Sequence, residues 1–174
     1  MTNYIQSANL ITRNPSDLLG IGGRNMKLST KGRYGVKAML DLALHISEGN
    51  ISLKSIAERQ ELSENYLEQL FASLRKAGLV KSVRGAQGGY ILSDSPDKIS
   101  VGSVLRALEG SLAPVSCVSE DNDSSCDRYG FCVTKMIWEK MMNGVNQVVD
   151  SISLQDLINE YHRLNKNDDI MYFI

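Results

Sequence analysis

A mainly α-helical fold with one small β-hairpin is what this sequence predicts, arranged as a winged helix-turn-helix unit followed by a long dimerisation helix. Three observations predict it. Two short amphipathic stretches lie either side of the polar turn Gln60-Glu61. A glycine-rich turn, Gly85 to Gly89, separates the short apolar runs Leu79-Val80 and Tyr90-Ile91-Leu92. From about Cys132 to Ile152, apolar residues recur at steps of three and four, which marks one long helix with a continuous apolar face.

In order, Ser29-Thr30 can cap a helix running toward Ser47, with Val36, Met39, Leu40, Ala43 and Ile46 on its buried stripe and Gly49 as its stop. Ser52 can cap a second helix that buries Leu53, Ile56 and Ala57. Ser63 can cap a third, burying Leu67, Leu70, Phe71 and Leu74. Gly78 ends that helix and the hairpin follows. Asp94-Ser95-Pro96 marks a boundary, because proline cannot continue a central strand. Ser100 caps a short helix with Val101, Val104, Leu105 and Leu108 inside. Residues 113–131 then lose periodicity, and the acidic run Glu120 to Ser125 reads as a solvated loop. In the long helix, Val133, Ile137, Met141, Val145, Val148 and Ile152, widened by Met136, Trp138, Met142 and Val149, exceed what one small domain buries. A two-fold homodimer interface is the expectation. Ser153 caps a last helix carrying Leu154, Leu157, Ile158 and Tyr161. The expected organisation is a flexible extension at 1–25, the winged unit at 26–95, a linker helix and cysteine loop at 96–131, dimerisation and carboxy-terminal helices at 132–164, and a tail at 165–174.

Composition narrows the function. The chain has 174 residues, 43% apolar and 22% charged, as globular proteins do, and a net charge of −1. That sum hides an asymmetry. Residues 26–95 carry ten Lys and Arg against seven Asp and Glu, whereas 96–174 carry seven against twelve. The basic excess falls on the winged unit, as phosphate attraction requires. No apolar run is long enough for a membrane span, and the first 25 residues lack the apolar core of a secretory signal. With an odd cysteine count, this makes a cytoplasmic protein without a disulfide framework the expectation. No cysteine has a histidine near it in sequence and no phosphate-cradling glycine motif opens a helix, so the chain does not read as an enzyme. His45 and His162 read as packed or surface residues.

Two sets of residues carry chemistry. On the third helix the face opposite the buried stripe begins with Asn65, Tyr66, Glu68 and Gln69. Gln69 can pair with adenine, Glu68 can accept from cytosine, and Tyr66 can bind phosphate or stack. Arg84 at the hairpin base suits a narrow minor groove, while Gly85 and Gly88 let backbone approach phosphate. Lys31 and Arg33 are further phosphate candidates. The second set is Cys117, Cys126 and Cys132, three thiols around one acidic loop. Thiolates suit iron–sulfur clusters or zinc, and three unrelated reduced thiols remain the alternative.

The motifs Leu62-Ser63, Tyr66-Leu67-Glu68-Gln69-Leu70, Leu74-Arg75, Gly78-Leu79-Val80 and Arg84-Gly85 through Gly88-Gly89-Tyr90, with Met26 to Tyr34 at the start, resemble one family. It is the IscR-like family of small bacterial winged-helix regulators, with nitric-oxide-sensing and cysteine-metabolism relatives. The resemblance spans residues 26–161. It implies a homodimeric transcription regulator, a repressor by family habit, that binds double-stranded DNA at a pseudo-palindromic operator. It also implies a 2Fe–2S cluster on Cys117, Cys126 and Cys132 that reports iron–sulfur status. The alternative is the same dimer answering to nitric oxide or redox change, zinc, or a protein partner in cysteine metabolism. Two departures bear on the cluster. The family often has a histidine three residues after the last cysteine, where this chain has Lys135, and the gap from Cys117 to Cys126 is longer. The fourth ligand is therefore open among Asp123, Asp127, Glu139 and a group of the partner subunit.

Overall fold

The computed structural model describes residues 29–85, 88–119, 126 and 128–171, the last five by backbone only. The expected extension at 1–25, the acidic run at 120–125 and the wing-tip residues Ala86 and Gln87 lie outside the described residues. Six α-helices and one antiparallel hairpin make up the described part.

Helix α1 (Thr30–Leu44) starts at Ser29, whose hydroxyl accepts from the Lys31 amide at 3.0 Å. The carboxylate of Glu109 stands at the same helix end, accepting from Ser29 Oγ at 2.5 Å and from the Gly32 amide at 2.7 Å. A negative group there meets the unpaired amides of the first turn. Helix α2 (Leu53–Gln60) and helix α3 (Glu64–Lys76) are capped by Ser52 and Ser63 as expected. Between them Glu61 adopts a left-handed conformation (φ 54°), which makes the turn tight. Strands β1 (Val80–Val83) and β2 (Gly89–Leu92) pair with Val80 opposite Leu92 and Val83 opposite Gly89. Ile51 adds a third short rung: its amide donates to Tyr90 O at 3.0 Å and Tyr90 N donates back at 2.8 Å. The hairpin is thus fastened to the chain entering α2.

Helix α4 (Val101–Glu109), capped by Ser100, packs on α1 and α3. Helix α5 (Lys135–Asp150) lies against α4, and helix α6 (Leu154–Met171) returns over α1. One core joins α1 to α4, the hairpin and α6: Met39, Leu42, Ile56, Leu67, Leu70, Phe71, Leu74, Val104 and Leu154 are essentially sealed from solvent. At about 1.5–3 kcal/mol for each large apolar side chain, this burial is the main stabilising term.

Three expectations need correction. Ile46 is 48% exposed, because α1 ends at Leu44 and the 3₁₀ turn Ile46–Glu48 breaks the helical phase. Cys132 and Val133 precede α5, with Thr134 at its cap position. Helix α6 continues to Met171, through residues the periodicity gave to a tail, since neither Gly nor Pro interrupts 165–171.

Candidate functional site

Helix α3 is oriented by its buried stripe. Leu67, Leu70, Phe71 and Leu74 point wholly inward, so Asn65, Glu68 and Gln69, three and four residues apart, share the exposed face. Tyr66 differs from them. It is half-buried, and its ring meets Tyr34 of α1 edge-to-face with centroids 6.1 Å apart. Part of its role is therefore to hold α1 to α3. The Arg33 guanidinium sits 5.9 Å from the Tyr34 ring centroid, so the Tyr34–Tyr66 contact brings this cation toward the start of α3. Lys31 is half-buried in the first turn of α1.

Past β1, Arg84 and Gly85 are exposed. Gly85 has φ 124°, a conformation reserved for glycine. Gly88 is required for a different reason: a Cβ there would lie 2.7 Å from Val83 O and 2.9 Å from Gly85 O. The Gly88 amide also donates to Gly85 O at 2.9 Å. An open, polar recess of about 570 Å³ lies between Gly88, the turn at Glu48 and the start of α2, lined also by Ser52, Ser55 and Arg59.

Further contacts around the helix-turn-helix join residues that no sequence motif links. Arg75 Nη1 reaches Ser82 Oγ at 3.4 Å, linking the end of α3 to β1, and Lys81 Nζ reaches Ser93 O at 3.3 Å. Both cations are exposed, Arg75 near the end of α3 and Lys81 on β1. Arg75 belongs to the motif Leu74-Arg75, and neither it nor Lys81 carries a spacing that announces these contacts. Less legible was the tie beneath the helix-turn-helix. Asp41 of α1 is 2% exposed and accepts from Arg59 Nε at 3.0 and 3.1 Å, from Arg59 Nη2 at 2.6 Å and from Gln60 Nε2 at 2.9 Å. The hydrogen bond to Asp41 raises the Arg59 pKa further above its ordinary value. This fork fixes α2 on α1, and so fixes the turn that aims α3. His45 packs beside it, with Nδ1 2.7 Å from Asp41 O, whereas His162 stands exposed against Tyr161.

Two of the cysteines lie next to α5. Cys117 is in the 3₁₀ turn Ser116–Val118, which packs on α5, and Cys132 is two residues before the cap of that helix. Cys126 is exposed, and no disulfide joins any of the three. Cys132 Sγ is 3.2 Å from Thr134 Oγ1. That hydrogen bond, then the amides of Lys135 and Thr134 and the Lys135 charge, draw its pKa below the ordinary thiol value against a smaller desolvation effect. Lys135 Nζ lies 3.6 Å from the Tyr129 ring centroid and 3.3 Å from Glu139 Oε1. Tyr129 first, and Glu139 with it, raise the Lys135 pKa, so the side chain stays an ammonium with no lone pair for a metal. Of the fourth-ligand candidates, Glu139 is engaged by Lys135, while Asp123 and Asp127 lie outside the described residues. Among the described residues, no group of three or more His, Cys, Asp or Glu is gathered closely enough to hold a metal ion. The structure therefore does not bring the three thiols together.

No described helix is long and apolar enough to cross a membrane. The fold is shared with solved structures. One is the T. potens IscR, 57% identical, with a TM-score of 0.62 over 78% of this chain and 88% of that one. Another is CymR of B. subtilis, titled the global cysteine regulator, 45% identical, with a TM-score of 0.63 over 77% and 97%. The HTH-type transcriptional regulator IscR of Aliivibrio salmonicida is 44% identical over 147 residues, 83% of this chain and 86% of its own length. These relatives are named as transcriptional regulators or by regulator names, and none of the three as an enzyme. Residues 28–160 match the family described as Rrf2, iron-dependent transcriptional regulator, and the chain belongs to that family.

Proposed function

We propose that this regulator works as a homodimer joined along α5, binding a pseudo-palindromic DNA operator with one α3 in each major-groove half-site. The observation that carries this reading is the division of α3 into a sealed apolar face and an exposed face bearing Asn65, Glu68 and Gln69. These three and Tyr66 address base edges and nearby phosphate. Arg84 enters the adjoining minor groove, Gly85 and Gly88 bring backbone to phosphate, and Lys31 and Arg33 add phosphate contacts. On the exposed side of α5, Ile137, Met141, Gly144 and Val148 recur three and four residues apart, the spacing of one helix face suited to a second copy. Cys117, Cys126 and Cys132 hold a 2Fe–2S cluster, for which three thiolates are a fitting donor set although the described residues do not gather them. When bound, that cluster supplies an oxygen- and redox-sensitive centre beside the dimer helix. Thr134 and the first amides of α5 favour the thiolate form of Cys132, and Lys135 keeps a positive charge nearby.

The test is isolation without oxygen followed by DNA titration. Coloured protein with equal iron and sulfide is expected, with the colour lost in each of Cys117→Ala, Cys126→Ala and Cys132→Ala. Binding to the chain's own promoter should fall steeply with salt. A second reading is favoured by the likeness to CymR: the same dimer, answering to redox or nitric oxide, zinc, or a partner protein of cysteine metabolism. Colourless protein that binds its operator equally well with and without iron and sulfide would select it.

A further inference from the structure

The joint between α4 and α5 is held both by backbone hydrogen bonds and by a charged side-chain brace. The corner between α5 and α6 is pinned by backbone: Val101 N donates to Ile152 O at 2.8 Å and Leu154 N to Ile99 O at 2.9 Å. One turn away, the Arg106 guanidinium braces α4 against the last turns of α5, pairing with Asp150 and donating to Asn146 Oδ1 at 3.2 Å. Between pin and brace the helices touch at Gly102, where a Cβ would collide with Asp150 Oδ1 and lie 2.9 Å from Val149 Cγ2. On the other side α4 is packed on both α1 and α3. The direction of α3 is thereby fixed relative to α5. Asn146 and Asp150 lie on a different face of α5 from the stripe Ile137, Met141, Gly144 and Val148, so joint and stripe do not compete for surface.

We propose that Arg106 is a positioning residue for operator choice: by bracing α4 on α5 it sets the separation and relative rotation of the two α3 helices, and so the half-site spacing this regulator accepts. The inference rests on the dimer reading above. Its force comes from DNA geometry. One base pair moves a half-site by about 3.4 Å and turns it by about 35° around the duplex. A dimer held at a stiff joint cannot follow that rotation, whereas one pivoting on a backbone pin can. The polar partners of Arg106, Asn146 and Asp150, are not proposed base-reading residues, so it acts on spacing and not on the sequence within a half-site.

The experiment titrates full-length protein against duplexes carrying the native half-sites with zero, one or two base pairs added or removed between them, and against a single half-site. Arg106→Ala should reduce the discrimination between native and one-base-pair-shifted spacing roughly tenfold, the scale of lost charged hydrogen bonds. Single-half-site affinity should be unchanged. Asp150→Asn should reproduce part of the loss, and Arg106→Lys should restore part of the discrimination. If Arg106→Ala and Asp150→Asn, both dimeric and folded by circular dichroism, keep the wild-type spacing profile, the proposal is overturned. A wild-type protein that is monomeric, or indifferent to spacing, overturns the dimer reading and this inference with it.

Discussion

The helix-turn-helix region and helix α5 are both amphipathic, yet only one of them is finished within the chain. Every residue of the α3 apolar stripe is sealed, and serine side chains cap α1, α2, α3 and α4. Helix α5 buries none of its residues completely, has no side-chain cap, and is preceded by Phe131 at 93% and Val133 at 84% exposure. The first region draws its order from its own packing. The second leaves apolar surface exposed, so on the proposed reading the same hydrophobic periodicity means core in one helix and interface in the other.

That contrast sets the expected scale of mutational effects. Phe71→Ala should be the most damaging, costing about 3–5 kcal/mol in denaturant unfolding, because a sealed aromatic leaves a cavity beside Tyr90, its edge-on neighbour. Arg59→Ala should follow, at about 2–3 kcal/mol, since Asp41 would stay buried with its charge less well matched; partial exposure of Arg59 keeps the figure below that of a fully buried pair. Met141→Glu should change the stability of the helix-turn-helix region by less than about 0.5 kcal/mol while abolishing dimers in light scattering. A monomer losing several kcal/mol would erase the distinction between the two regions. Thr134→Val should leave stability unchanged and slow alkylation of Cys132 by iodoacetamide at pH 7.5 in metal-free protein. Without the hydroxyl the Cys132 pKa rises, and less thiolate is present at that pH.

The same contrast governs what the sequence could disclose. Ser52, Ser63 and Ser100 were legible as caps, and Leu67 to Leu74 as a buried stripe, because caps and periodicity are local. The phase slip exposing Ile46 was not, since it depends on where α1 stops. Asn65, Glu68 and Gln69 could be assigned to an exposed face from spacing alone, whereas the half-burial of Tyr66 needed Tyr34, 32 residues earlier in the chain. The ties of Asp41 to Arg59, Glu109 to the start of α1, and Arg106 to Asp150 join residues far apart in sequence, and no local pattern announces such pairs. The three cysteines were visible as a set, but spacing along the chain does not place thiols in space, and the described residues do not gather them.

The rung between Ile51 and Tyr90 has a consequence for how an operator would be felt. It ties β2 to the entry of α2, and so fastens the hairpin to the helix-turn-helix. On the proposed reading, once α3 has engaged its groove, Arg84 is presented to the neighbouring groove at a high local concentration, with little further loss of rotational freedom. The two contacts then behave as a bivalent ligand on a short, stiff linker. A mismatch under either would weaken both, so a pair of substitutions at Glu68 and Arg84 should depart from additivity.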